Sequence, residues 1–133
     1  MKKILVVLTS LMLSATAFAH DHGRTSPDWE ELTPEMRAWY MNLRRPDMPD
    51  MPCCGLSDAY WCDTVYVRKQ QMYCKITDTR PDKPLGRQHI PVGTEIEIPH
   101  EKLKYDQGNP TGHAVVFLST SGFVFCFVQG TQT

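Results

Sequence analysis

Pro52-Cys53-Cys54-Gly55-Leu56-Ser57-Asp58-Ala59-Tyr60-Trp61-Cys62 is the stretch on which the fold turns, since a proline-rich approach ends here, a β-type composition begins, and three of the five cysteines fall inside it. Cysteines in an exported domain read first as disulfides. Export is what the start of the chain predicts. Lys2 and Lys3 precede an apolar run from Ile4 to Leu13, and Ala17-Phe18-Ala19 has the form of a secretory cleavage site. The chain after cleavage begins at His20. That apolar run is too short for a permanent membrane span, and no later stretch is longer.

Removing residues 1–19 leaves 114 of the 133 residues, one domain by length, and lowers Lys+Arg from 14 to 12 against 15 Asp+Glu, a charge of −3 with histidines neutral. The basic residues are scattered apart from Arg44-Arg45 and Arg68-Lys69, which excludes the dense positive face that nucleic acid requires.

Five cysteines allow two bridges and one remaining thiol in fifteen arrangements. The pairing chosen here is Cys54–Cys126 and Cys62–Cys74, with Cys53 left over. In the chain-entropy picture the long loop contributes about 4 kcal/mol and the short one about 3 kcal/mol.

Upstream of the cysteines, His20 to Thr25 is polar and aperiodic, so residues 20–33 form a mobile segment ahead of a domain spanning 34–133. Ser26-Pro27 and Thr33-Pro34 are both helix starts, a capping residue before a first-turn proline. The second is stronger, because Met36, Trp39, Tyr40 and Leu43 make one apolar stripe of a helix from Pro34 to Arg44, ended before Pro46. From Arg45 to Pro52 a proline recurs every third residue, which predicts an extended connector with Met48 and Met51 at the edge of the core.

Downstream, Tyr60–Val67 and Met72–Thr77 flank Arg68-Lys69-Gln70-Gln71 and read as a hairpin. A Cys62–Cys74 bond within that hairpin centres the turn on Arg68, and a tight turn at Lys69-Gln70 is incompatible with it. Asp78–Gln88 reads as an exposed loop, His89–Gly93 as a short edge strand, and Thr94–Ile98 as a half-buried strand with isoleucines inward. His100–Lys104 suits a helical turn. Ala114–Leu118 and Phe123–Val128 flank Ser119-Thr120-Ser121-Gly122 as a second hairpin. Phe123-Val124-Phe125-Cys126-Phe127-Val128 has no polar face, so it is a central strand covered on both sides, with the Trp39/Tyr40 helix as one cover. The fold class is α+β: an N-terminal helix on a small antiparallel sheet, or partly open barrel, of five or six strands braced by disulfides.

The combination of His20-Asp21-His22, a Trp39-Tyr40-x-x-Leu43 helix, Cys53-Cys54-Gly55 followed by Asp58-Ala59, then Gly108-Asn109-Pro110-Thr111-Gly112-His113 and a cysteine in the last strand resembles a group of small exported proteobacterial proteins with no assigned activity. The resemblance covers most of the chain after cleavage and carries over no catalytic residue. Some members lack counterparts of Cys62 and Cys74, which implies that a bridge between Cys126 and the Cys53-Cys54 pair is the shared one.

Three constellations carry chemistry. The His20 amine, two backbone nitrogens and the His22 ring form the square-planar nitrogen set that Cu(II) prefers, provided His20 is the terminus. His20 could instead chelate copper through amine and ring, joined by His89, His100 or His113, as in a copper-dependent oxidase. Cys53 with His113 and Asp58 or Asn109 can be drawn as a nucleophile set, although an exported vicinal cysteine is more often structural. Finally, Asp58, Tyr60, Trp61, Asn109 and His113 gather near the cysteines and could line a small-ligand pocket. Against that, Asp58 and Asn109 are also ordinary turn residues. The function expected is an exported, non-enzymatic binding module of the cell envelope, acting on an envelope protein or small ligand, with copper binding as the alternative.

Overall fold

The computed structural model describes residues 32–130. The secretory signal, the Ser26-Pro27 helix start, and His20 and His22 lie outside the described residues. Thr33 caps the first helix, α1 (Pro34–Asn42), its hydroxyl accepting the Met36 amide at 3.2 Å. The helix stops two residues before the expected Arg44, and its C-cap Leu43 is extended.

Seven strands follow: β1 (Asp58–Trp61), β2 (Thr64–Arg68), β3 (Gln71–Lys75), β4 (Glu95–Ile98), β5 (Leu103–Lys104), β6 (Val115–Leu118) and β7 (Val124–Val128). A four-residue helix, α2 (Asp82–Leu85), precedes β4, and a 3-10 turn, His100–Lys102, precedes β5. The strands form two sheets instead of one. The first has the order β1-β6-β7-β5, antiparallel except for the β5–β7 pair, and the second has the order β2-β3-β4, antiparallel throughout.

The β6–β7 hairpin is the central layer. Its register shifts between Phe117 and Leu118: Phe117 pairs with Cys126 and Leu118 with Val124, so Phe125 is the extra residue of a bulge. One face of this sheet (Tyr60, Ala114, Val116, Leu118, Val124, Phe127) packs on Cys62, Cys74, Ile76 and Ile98 from the side of the second sheet. The other face (Val115, Phe117, Cys126, Val128) packs on Tyr40, Leu43 and Cys53. The order is therefore helix, first sheet, second sheet. Val124–Val128 of the all-apolar run is covered on both faces as predicted, with Tyr40 edge-on to Phe117 at 6.1 Å, whereas Phe123 falls outside the strand and is 52% exposed.

The proline-rich connector departs from the expected extended form. Cys53 N–H donates to Leu43 at 2.9 Å, Arg45 N–H to Met51 at 2.9 Å, and Arg44 bridges Pro52, so the chain turns back on itself. Asp47 anchors the turn between Arg45, which lies over the Phe125 ring, and Lys102. The methionines stand outside, Met48 48% and Met51 38% exposed, instead of lining the core.

Folding back brings Cys53, not Cys54, to the last strand. The bridges are Cys53–Cys126 and Cys62–Cys74. The expected Cys54–Cys126 pairing is corrected on this point: neighbouring side chains of an extended segment point to opposite sides. Cys53 enters the core, where it is 1% exposed, while Cys54 lies outside both disulfides. Cys62–Cys74 forms as expected, yet the turn is at Lys69-Gln70, both at positive φ (50° and 65°). The two coexist because Cys62 is not in the hairpin. Its amide donates to Ala114 in the first sheet, and Val65 takes the place opposite Cys74, so the disulfide ties one sheet to the other. The run Tyr60–Val67 is accordingly two strands broken at Cys62-Asp63.

Two smaller expectations also change. Residues 89–93 form no strand, and the 78–88 loop is far from wholly exposed, since Asp78 is buried at 5%.

Candidate functional site

Of the five residues expected around a ligand pocket, Trp61, Asn109 and His113 come together, while Asp58 lies at the other end of β1 and Tyr60 points into the core. Tyr60 is 2% exposed in the core, its hydroxyl donating to the Gln88 carbonyl at 2.6 Å. Trp61 has both ring faces occupied: His113 stacks on one at 3.8 Å and 12°, and the Arg80 guanidinium lies 4.1 Å from the ring centroid. A sugar or an aromatic ligand therefore finds no open indole face. Asn109 is buried, donating to His113 and Gln129 carbonyls at 2.8 and 3.1 Å and accepting from the Thr111 amide at 3.0 Å. It closes the 108–113 loop against the end of β7. Asp58 begins β1 opposite Leu118, half-buried.

His113 reaches the Asp63 carboxylate through Nδ1 at 2.9 Å, and Asp63 also accepts from the Ala114 amide and the Thr77 hydroxyl. Burial alone would raise the Asp63 carboxyl, but the His113, Thr77 and Ala114 contacts hold it below the usual range. The nucleophile set does not form, because Cys53 is oxidised. Among the described residues no three His, Cys, Asp or Glu side chains gather to hold a metal ion. His89 is instead tied to Asp82 at 2.6 Å.

What surrounds Trp61 is an edge seal. β1 is an edge strand of the first sheet. Two of its backbone groups are taken by side chains from the 78–88 loop: the Trp61 amide donates to Asp78 Oδ2 at 3.1 Å, and Arg87 Nη1 donates to the Ala59 carbonyl at 2.8 Å. Asp78 and Arg87 are themselves paired at 2.7 Å, both side chains at most 3% exposed. Burial would raise the Asp78 carboxyl, but Arg80, Arg87 and the Trp61 amide hold it well below the carboxylate range. The sequence signal missed here was Asp78-x-Arg80 with Arg87, charges too close together in a short loop to be mere solvation.

The remaining edges are treated differently. β5 has two residues, and β4 alternates Glu95 and Glu97 between Pro91 and Pro99. Short edges, prolines and repeated like charge all discourage strand addition. β2 has none of these within Thr64-Val65-Tyr66-Val67. It lies at the edge of its sheet, and no hydrogen bond from a described residue reaches the outer side of Val65 or Val67. Both valines belong on the core-facing side, with Cys74 and Met72 as cross-strand partners, yet they extend past the core and are 40% and 65% exposed. On the opposite face Tyr66 stacks on Tyr73 at 5.7 Å and is tied to Glu95, which Arg68 also grips at 2.6 Å.

No family model, curated protein or solved structure matches the chain. Two disulfides brace the described residues, and none of their helices is long and apolar enough to cross a membrane.

Proposed function

We propose that this chain is an exported, non-enzymatic interaction module of the cell envelope whose contact surface is the β2 edge. The observation that carries the reading is the contrast between edges: β1 is closed by Asp78 and Arg87, whereas β2 presents Val65 and Val67 with open backbone groups. A strand edge of this kind binds by adding another strand, with main-chain hydrogen bonds supplying affinity and alternate side chains supplying selectivity. The leader peptide and the two disulfides agree with an oxidising location. Tyr60, Trp61 and Asn109, first read as ligand contacts, are engaged by other parts of the chain, which favours an edge over a pocket as the contact surface.

The test is a photo-reactive amino acid at position 67 of the full chain in cells that export it, with position 92, 59% exposed on a loop, as control. A discrete adduct from 67 and none from 92 supports the module. No adduct from 67 removes the reading.

Copper binding at the processed start is the second reading, favoured by histidine in third place without proline in second. Cu(II) titration of the chain beginning at His20, against a form with one extra residue before it, tests this. Equal affinity ends it.

A further inference from the structure

The occupant of the β2 edge can be named from the edge itself. We infer that β2 pairs antiparallel with β2 of a second copy of this chain, about a two-fold axis at Tyr66, joining two three-stranded sheets into one of six. This inference rests on the reading of β2 as the contact surface.

Hydrogen-bond alternation limits the registers. The two-residue turn Lys69-Gln70 makes Arg68 and Gln71 a bonded pair of the hairpin, so Thr64, Tyr66 and Arg68 aim their backbone groups at β3. Val65 and Val67 therefore aim theirs outward. Centring the two-fold on Tyr66 sets Val65 of each copy against Val67 of the other, so the outward amides and carbonyls are exchanged in two bonded pairs. Isologous pairing of this kind closes at two copies and leaves no further edge of the same type.

Side chains agree with that register. All four valines lie on one face of the combined sheet, and each of the two exposed positions is covered by the other. Tyr66 meets Tyr66 on the opposite face, extending the existing Tyr66–Tyr73 stack across the junction. Arg68 of each copy faces Thr64 of the other, so no like charges meet within the paired strands. Centring on Val65 or Val67 instead sets one valine against itself and leaves the other opposite Asp63 or Lys69. β4 cannot serve in this way, because self-pairing confronts Glu95 and Glu97 with one another. Two five-residue strands make an interface well below about 1,000 Å², so the dimer is weak and concentration-dependent.

Sedimentation velocity on the chain beginning at His20, up to about 1 mM, reads the association directly. The expected result is a monomer–dimer equilibrium that Val65→Lys/Val67→Lys weakens at least tenfold, with both disulfides and the melting temperature retained, while Val92→Lys leaves it unchanged. Register is read separately: a non-bonded antiparallel pair has Cα atoms about 4.5 Å apart, so Tyr66→Cys in a Cys54→Ser background cross-links on mild oxidation, and Tyr105→Cys does not. A wild-type chain that stays monomeric, or a dimer indifferent to the valine changes, overturns the inference. If position 67 instead yields an adduct whose mass is not twice that of the chain, the edge is an interaction site for another protein; the module survives and the self-pairing does not.

Discussion

Arg87 and Asp78 form an ion pair at 2.7 Å inside the protein, and each spends a second contact on the backbone of the same strand: Arg87 on the Ala59 carbonyl, Asp78 on the Trp61 amide. The pair therefore closes a sheet edge with charge that is itself neutralised. Removing one member leaves the other buried with one remaining counter-charge, Asp82 at 2.8 Å for Arg87 or Arg80 at 2.7 Å for Asp78, so the cost is about 3 kcal/mol, the low end of the range for a broken buried pair. Asp78→Asn should lower stability by that amount in denaturant titration. Because Arg87 has already lost one of its two counter-charges in Asp78→Asn and keeps only Asp82, adding Arg87→Leu should cost less there than in the parent chain, so the double variant should lose less than the sum of the two single losses. Strictly additive losses would show that the two residues act separately.

The same carboxylate gives the acid dependence. The Asp78 and Asp47 carboxyls are both held well below the ordinary range, Asp47 chiefly by its hydrogen bond from Arg45. A depressed folded-state pKa adds stability that is present above the unfolded value, about 3.9, and is lost as pH falls through and below it. The melting temperature should be flat from neutral pH to about pH 5 and then drop. Asp78→Asn should flatten that drop while lowering the plateau. An unchanged acid slope in the variant would remove Asp78 from the account.

The core was legible in the sequence wherever periodicity and composition agree. The Trp39/Tyr40 stripe, the alternating Ile96 and Ile98, and the all-apolar run from Val124 to Val128 found the predicted elements, with only Phe123 of that run left exposed. The break at Cys62-Asp63 was not legible, because Tyr60–Val67 is uniformly β-forming. Only tertiary pairing, Cys62 with Ala114 and Val65 with Cys74, assigns its halves to different sheets. Lys69-Gln70 carries none of the Asn-Gly chemistry that announces a tight turn, though it adopts the positive φ angles of one. The suspected ligand residues are ambiguous in the sequence for a related reason. Trp, His and Asn beside polar loops look alike in sequence whether they face solvent or, as Trp61 and Asn109 do here, one another's backbone and rings.

Which of two adjacent cysteines reaches Cys126 is open to direct measurement. Cys54→Ser should fold with both bridges and no alkylatable thiol, whereas the parent chain should show one, on Cys54. Cys53→Ser removes the link between the connector and β7, and loss of a native disulfide in a small exported domain costs about 2–5 kcal/mol. Peptide mapping that recovers Cys54 joined to Cys126 from the parent chain would reverse the assignment.

Asn109 holds the 108–113 loop through four contacts, two donated to carbonyls and two accepted from Thr111. Asn109→Ala orphans buried groups at about 1–3 kcal/mol. The effect should be local, with faster amide exchange at residues 111–114 and 129. Asn109→Asp retains the acceptor and loses both donated bonds, so it should exchange nearly as fast as the alanine variant. Protection in that variant equal to the parent would show that the donated bonds contribute little.

At high pH the controlling groups are two buried phenols. Burial pushes the Tyr40 and Tyr60 hydroxyls up to about 12, and for Tyr60 the nearby Asp58 charge adds to the shift. An unfolded tyrosine ionises near 10, so below that pH neither state loses a proton and the contribution to stability is intact. Between about pH 10 and 12 the unfolded chain ionises first, and stability falls as pH rises. Tyr60→Phe deletes one of these groups together with its bond to the Gln88 carbonyl, lowering stability at neutral pH but reducing the alkaline loss. Melting temperatures from pH 9 to 11.5, followed alongside tyrosinate absorbance, should show two phenols that ionise only with unfolding in the parent chain and one in the variant. Early ionisation of both phenols in folded protein would mean that the face of β6 covered by Tyr40, and the packing around Tyr60, are open to water.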